Sequence, residues 1–150
     1  MTNKEWFKQA KYGMMIHFGL YSLLGGEWKG RRTLSNAEWL QNRLRIPNSD
    51  YAQLTRIFNP TFFNAEDWVL TAKEPGMDYL VATSKHYEGY CLFQSDCDDF
   101  NCTDGIPFGR EILAQNGDLC LIWCDTPAAV TAVNILRKNA PAIIAEVTLC

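Results

Sequence analysis

The sequence lacks the basic surface that proteins use to bind nucleic acids. Among its 150 residues, 14 are Lys or Arg and 17 are Asp or Glu, which gives a net charge of −3. A protein that binds nucleic acid through phosphates usually carries a basic patch. The one dense basic stretch here is Lys29-Gly30-Arg31-Arg32, and Arg31-Arg32 is most simply a solvated surface pair. We therefore expect no nucleic-acid partner.

Long apolar runs are also absent. No stretch approaches the roughly 18 apolar residues that a membrane-spanning helix needs. Residues 1–9 have no apolar core like that of a signal peptide. Taken alone, the sequence predicts a soluble, cytoplasmic chain with no membrane partner. Its 47% hydrophobic and 21% charged residues are typical of globular proteins, which argues against disorder and coiled coils.

Motifs for metals and nucleotides are missing too. The chain has two histidines, and none of its six cysteines is spaced as Cys-x-x-Cys, which argues against a structural zinc site. A cysteine-liganded metal protein is the least favoured alternative. Neither Gly-x-Gly-x-x-Gly nor Gly-x-x-x-x-Gly-Lys occurs after a predicted strand. We expect free thiols packed as small apolar groups rather than disulfides, and no metal or other cofactor.

What the sequence does contain is an alternation of apolar runs with helical patterns. The apolar runs predict four buried strands: Tyr12–Phe18, Met77–Ser84, Leu119–Trp123 and Ala142–Val147. Strands that alternate with helices indicate a parallel α/β organisation. We find no linker or repeat, so residues 1–150 are predicted to form a single domain.

The helical segments carry their own start and stop signals. Ser35-Asn-Ala-Glu38 has the form of a capping box, and Pro47 is expected to end the helix that follows it. Asn64 is expected to cap a helix that stops at Pro75-Gly76. A further helix is predicted from about Pro127 to Asn139. An additional helical face is predicted for Tyr51, Leu54 and Phe58.

Polar side chains follow three of the predicted strands, where active sites of α/β proteins lie. They are His17, His86 and Asp125. Each also has an ordinary structural interpretation. Asp125 before Thr-Pro is typical of a helix N-cap, and His17 beside apolar residues is typical of a satisfied buried histidine. His86 lies in a polar, more exposed-looking cluster, and neither interpretation is favoured there.

Several motifs, in this order along the chain, resemble one enzyme family. They are Trp6-Phe-Lys-Gln-Ala-Lys-Tyr-Gly-Met-Met-Ile-His-Phe-Gly-Leu-Tyr-Ser22, Gly25-Gly-Glu-Trp28, Phe63-Asn-Ala-Glu-Asp-Trp68, Thr83-Ser-Lys-His86 and Leu121-Ile-Trp-Cys-Asp-Thr-Pro127. The chain thus resembles the α-L-fucosidases of glycoside hydrolase family 29, almost without a gap from Glu5 to Ile112. The resemblance implies retaining removal of terminal α-L-fucose from fucosylated glycans, without a metal or organic cofactor.

The resemblance also implies roles for individual residues. Asp125 matches the family's catalytic nucleophile. Tyr87 stands where the family often has a second histidine, and a phenol can still donate and accept a hydrogen bond. The residues that match the lining of the fucose pocket are His17, Glu27, Trp28, His86 and Trp123. Without the resemblance, Glu27 would be interpreted as a solvated charge and the two tryptophans as packing groups.

The sequence departs from the family in its length. A (β/α)8 TIM barrel takes about 250 residues, whereas this chain has 150 and four predicted strands. No residue matches the family's acid/base glutamate, and Glu146 inside an apolar strand is a poor substitute. We therefore expect an incomplete TIM-barrel-like catalytic domain of about four parallel strands with flanking helices. It would be weakly active or inactive, and its open sheet edges favour a homo-oligomer. The alternative is a non-catalytic remnant or a fucose-binding module.

Overall fold

A computed structural model of the chain describes residues 9–95, 98–104 and 106–113, together with the backbone of two further strands. The strands are β1 Gly13–Ile16, β2 Glu27–Trp28, β3 Arg31–Arg32, β4 Tyr79–Lys85, β5 Cys120–Cys124 and β6 Ile144–Val147. The helices are α1 Leu40–Leu44, α2 Asn48–Ala52 and α3 Ala65–Lys73, with 3₁₀ turns at Leu20–Leu23, Ala37–Trp39 and Gln53–Arg56. Within these described ranges no helix is long and apolar enough to cross a bilayer.

The four predicted strands form one parallel sheet in the order β1-β4-β5-β6. The strand β4 lies inside this order and buries most of its residues, as expected for a parallel strand covered on both faces. The expectation of burial on both faces is wrong for the first strand. Tyr12 is 50% exposed and Met15 is 44% exposed, because β1 lies at one end of the four-strand order.

Contacts at both ends tie β1 to β4. At the amino end, the backbone N–H of Asp78 donates to the carbonyl of Tyr12 at 2.7 Å. At the carboxyl end, the Thr83 hydroxyl donates to the carbonyl of Ile16 at 3.1 Å. Between them, Gly13 pairs with Tyr79, and a Cβ on Gly13 would lie 2.3 Å from the tyrosine ring. Glycine is therefore the residue that fits at position 13, against the ring of Tyr79.

The hydrophobic core packs between the sheet and the helices. Its members come from β4, from the helical segment and from the loops after β4, and the largest fully buried side chains include Tyr51, Phe58 and Tyr90. The predicted helical face is confirmed, since Tyr51, Leu54 and Phe58 are 1%, 5% and 2% exposed. Burial of one such side chain contributes about 1.5–3 kcal/mol.

The predicted capping box before α1 is wrong. The backbone N–H of Ser35 donates to the hydroxyl of Thr33 at 3.1 Å, and Asn36 occupies the cap position without a side-chain hydrogen bond. The helix ends just before Pro47, as predicted. The helix α1 ends when Arg45 adopts a left-handed conformation with φ of 52°. Pro47 itself precedes α2, where its lack of an N–H costs nothing.

A buried amide organises the loop of residues 98–104. Asn101 is fully buried, and its Oδ1 accepts hydrogen bonds from the Thr103 N–H, the Thr103 hydroxyl and the Asp104 N–H. Its Nδ2 donates to the Asp98 carbonyl and to an Asp104 carboxylate oxygen. This buried side chain thereby makes five hydrogen bonds to other groups of the loop, as buried polar groups require.

The cap of α3 gives a test of the local structure. Asn64 Oδ1 accepts from the Glu66 N–H at 3.0 Å, as predicted. Substitution Asn64→Ala should lower the free energy of unfolding by about 1 kcal/mol, because the first turn loses a partner for this N–H. Asn36→Ala is the matched control and should leave stability unchanged. Urea denaturation measures both, and equal losses in the two variants would contradict the assignment.

Candidate active site

The carboxyl ends of β1 and β4 bring two histidines together. His17 directly follows β1, and His86 directly follows β4. Because the two strands are parallel neighbours, these ends meet at one edge of the sheet. The imidazole ring centroids are 5.4 Å apart and the rings are edge-on at 72°. Their meeting at this edge agrees with the position predicted for an α/β site.

The two histidines differ in exposure, and in both cases the sequence suggested otherwise. His17 is exposed, so its interpretation as a buried core histidine is wrong. His86 is 3% exposed, although its polar neighbours in sequence made it look accessible. The rings of Tyr21 and Trp39 pack against the imidazole of His86 with centroid distances of 5.8 and 5.5 Å. Side chains from distant parts of the chain therefore enclose it.

Trp39 is a site residue that the sequence did not single out. It ends the 3₁₀ turn before α1, and its ring lies 5.0 Å from that of Tyr87 and packs edge-on against His86. Tyr87 itself is 53% exposed. The signal in the sequence was one of packing only, since Trp39 precedes the apolar face of α1. Trp39 and Tyr87 together form an aromatic wall beside the histidines.

A tight turn follows His86 and places the carboxylate of Glu88 beside the imidazole ring. The N–H of Gly89 donates to the carbonyl of His86 at 3.0 Å, and Gly89 has φ of +86°, which glycine adopts without strain. The turn folds Glu88 back so that its Oε2 lies 3.6 Å from Nδ1 of His86. The Glu88 side chain is only 2% exposed. Glu88 is a second residue that sequence reasoning missed.

Glu27 and Trp28 lie on a separate antiparallel hairpin made of β2 and β3. A carboxylate oxygen of Glu27 lies 3.9 Å from Nε of Arg32, with the Glu27 side chain 53% exposed. Trp28 is half-buried against the core, and Nζ of Lys29 lies 5.2 Å from the centre of its ring. The contacts of these two predicted sugar-binding residues are thus made within the hairpin and the core.

Other predicted site residues fall at the limits of the described chain. Trp123 and Glu146 lie in β5 and β6, where only the backbone is described. Asp125 lies outside the described residues, as does the helix predicted from about Pro127 to Asn139. The last residue of β5, Cys124, pairs with Lys85 after a shift of register between Thr83 and Lys85.

Lys85, the residue before His86, forms an ion pair at the carboxyl end of β4. Its Nζ lies 2.9 Å from Oδ2 of Asp98, and its side chain is 12% exposed. Burial acts to lower the pKa of Lys85, but hydrogen bonds to Asp98 and Cys91 and the nearby negative charge raise it overall. Burial acts to raise the pKa of Asp98, but hydrogen bonds from Lys85 and from the N–H of Phe100 hold it below its ordinary value. Each partner therefore stabilises the charged form of the other.

Two cysteines near the site are buried free thiols, Cys91 and Cys102. Burial raises the pKa of Cys102 to about 12 and also raises that of Cys91. The thiol is a poor nucleophile compared with the thiolate, so neither is suited to covalent catalysis. Within the described ranges, no three His, Cys, Asp or Glu side chains are grouped so as to hold a metal ion.

The amino-acid sequence of the chain matches a known protein family. The family model described as alpha-L-fucosidase matches residues 1–120. The chain belongs to the α-L-fucosidase family. Plasma alpha-L-fucosidase of Homo sapiens is 34% identical over 98 residues, which cover 61% of this chain and 21% of the human protein. The chain therefore spans about a fifth of the length of this curated relative.

Solved structures of fucosidases share the fold of this family member. Alpha-L-fucosidase AlfC from Lactobacillus casei, in complex with its α-L-fucose product, is 43% identical with a TM-score of 0.77, over 82% of this chain and 40% of AlfC. A GH29 alpha-L-fucosidase from Bacteroides thetaiotaomicron, trapped as a covalent intermediate, is 25% identical with a TM-score of 0.83. That match covers 94% of this chain and 39% of the Bacteroides protein.

The pair formed by Lys85 and Asp98 predicts an acid-sensitive stability for this fucosidase-family chain. Because the pKa of Asp98 is depressed in the folded state, the carboxylate stabilises the fold above its unfolded pKa of about 3.9. That contribution should be lost as the pH falls through the lower pKa that Asp98 has in the folded state. Asp98→Asn should lower the free energy of unfolding at neutral pH and flatten its dependence on pH below about 4.

The exposed neighbour Asp99 provides the control for this experiment. Asp99→Asn should keep the pH dependence of the unaltered chain, because no pairing like that of Asp98 with Lys85 is lost. Chemical denaturation between about pH 2 and pH 7 measures the three proteins. A steep acid loss that persists in Asp98→Asn would show that other carboxylates account for it.

Proposed function

We propose that this chain provides the fucose-binding part of a retaining α-L-fucosidase that removes terminal α-L-fucose from glycans. The observation that carries the proposal is the pair of imidazoles at the carboxyl ends of two neighbouring parallel strands. Membership of the α-L-fucosidase family supplies the substrate class. A neutral sugar offers hydroxyl groups and an apolar ring face. Imidazole nitrogens and aromatic walls suit both.

The proposed fucose-binding residues come from three parts of the chain. His17, His86 and Tyr87 follow the strand ends, and Trp39 adds a ring beside them. Glu27 and Trp28 would complete the pocket from the β2–β3 hairpin. Trp123, near the end of β5, would contribute an indole. In this arrangement the histidines and Glu27 hold hydroxyl groups, while the aromatic rings stack on the sugar.

Asp125 is the proposed nucleophile. It directly follows β5 in sequence, and Cys124 pairs with Lys85, the residue before His86. In the proposed reaction the carboxylate attacks the anomeric carbon while the bond to the leaving oxygen breaks. That oxygen takes its proton from solvent water, because no residue of this sequence matches the family's acid/base glutamate. Water then hydrolyses the fucosyl-enzyme ester. The trapped covalent intermediate of the Bacteroides relative supports a retaining mechanism for this chain.

We further propose that the four-stranded parallel sheet is part of a (β/α)8 barrel. The order β1-β4-β5-β6 with all neighbours parallel is compatible with a barrel segment. The chain matches about two fifths of each solved fucosidase. Sheet ends such as β1 would then be covered by further strands or by a second copy of the chain, and residues 1–150 would act as one incomplete domain.

The chain alone is expected to hydrolyse fucosides weakly or not at all. Retaining glycosidases need a second carboxyl group about 5–5.5 Å from the nucleophile to act as acid and base. No residue of this sequence matches the family's acid/base glutamate. General acid–base catalysis is typically worth about 10²–10⁴-fold, so the rate should fall short of that of a complete fucosidase by about this factor.

Binding of fucose tests the sugar pocket. The chain should bind α-L-fucose with a micromolar to millimolar Kd. His17→Ala should weaken binding about fivefold, the factor that corresponds to one lost hydrogen bond of about 1 kcal/mol. Lys73→Ala, on the exposed face of α3, is the control and should keep the original affinity. Calorimetric titration measures the Kd values. Absence of binding in the folded, unaltered chain would contradict the proposal.

Hydrolysis tests the reaction separately. Release of 4-nitrophenol from 4-nitrophenyl α-L-fucopyranoside should be slow, and Asp125→Ala should abolish what remains. Fucose binding with no measurable release would favour the fucose-binding module as the chain's role. Release at the rate of a complete fucosidase would contradict the argument from the missing acid/base residue.

A further inference from the structure

Glu88 is a buried charged residue that the proposed reaction does not use. Its side chain is 2% exposed, and its Oε2 has no hydrogen-bond partner among the described residues. Burying a carboxylate without compensation is strongly unfavourable. A residue placed in this way needs a nearby group that stabilises its charge.

The imidazole of His86 is that group. Nδ1 of His86 lies 3.6 Å from Oε2 of Glu88, which is longer than a hydrogen bond, and a proton on Nδ1 would face the carboxylate. The turn closed by the Gly89 N–H fixes this approach, since both residues lie within four positions of the chain. The approach of the two groups is therefore set within one turn of the chain.

Space for the carboxylate is provided by a second part of the chain. A Cβ on Gly19 would lie 3.0 Å from Oε1 of Glu88 and 2.9 Å from the ring of Tyr21. The nearby carboxylate also contributes, after burial, to raising the pKa of Tyr51, so that this phenol stays neutral. Glu88 is thus enclosed by residues that follow β1 and by α2.

We propose that Glu88 is a positioning residue that keeps the proton of neutral His86 on Nδ1 and makes Nε2 a hydrogen-bond acceptor. A carboxylate facing one ring nitrogen favours the tautomer with the proton on that nitrogen. This inference rests on the proposed function in one respect: the donor that Nε2 would meet is a fucose hydroxyl. The preferred tautomer itself does not depend on fucose.

The tautomer can be read directly by NMR. The chain has two histidines, so two-bond ¹H–¹⁵N spectra of the ¹⁵N-histidine-labelled chain contain two imidazoles, and His17→Gln assigns them. In spectra recorded at about pH 8, the neutral imidazole of His86 should carry its proton on Nδ1 in the unaltered chain. A proton found on Nε2 would overturn the inference, without any need for a variant.

Substitutions then link the tautomer to binding. Glu88→Met removes the acceptor and should shift His86 towards the Nε2–H form and weaken fucose binding on the order of tenfold, the scale on which outer-shell carboxylates act on histidine ligands. Glu88→Gln keeps an acceptor oxygen and should be intermediate. Glu111→Gln is the control, because Glu111 instead accepts from the Gln94 N–H. It should change neither readout.

The outcomes separate this inference from the proposed function. An Nδ1–H tautomer that Glu88→Met disturbs would support the positioning role, even if the unaltered chain fails to bind fucose. In that case only the proposed function is contradicted. An unchanged tautomer in folded Glu88→Met would overturn the positioning role, whatever the affinity for fucose.

Discussion

Parallel pairing of β1 with β4 is the constraint on which the candidate site depends. The Thr83 hydroxyl reaches the Ile16 carbonyl across 67 positions of sequence, and this contact aligns the two strand ends. His17 and His86 meet because each is the first residue after one of those strand ends. A shift of one residue in this register would turn every side chain of one strand to the other face and separate the imidazoles. The register of this strand pair therefore fixes where the two imidazoles meet.

The position of His86 combines tertiary packing with a local turn. Tyr21 and Trp39 arrive from the segment between β1 and α1 and enclose the ring, while Glu88 approaches Nδ1 from within the turn. The ring is thus restrained on several sides, and one of its nitrogens faces a charge. Restraint of this kind lowers the entropy that a ligand-binding side chain would otherwise lose on binding.

Much of the fold could be predicted from sequence because it follows from local patterns. Apolar runs gave the four strands to within a few residues, and the Asn64 cap was visible because its partner is two residues away. The prediction of a capping box before α1 was wrong because the N–H of Ser35 donates to the hydroxyl of Thr33 instead. The spacing of Ser35 and Glu38 does not reveal this hydrogen bond. The burial of His86 was missed because the side chains that cover it, Trp39 above all, come from distant positions. Family resemblance supplied residue roles, but not the contacts of Glu88.

The Asn101 loop contrasts with the histidine pair in the range of its interactions. Every hydrogen bond of the Asn101 side chain is made within three positions of sequence. Short-range contacts cost little loop-closure entropy, whereas a strand pairing across most of the domain costs more. We therefore expect this loop to take its shape early in folding, and the two imidazoles to meet late, once the sheet has assembled.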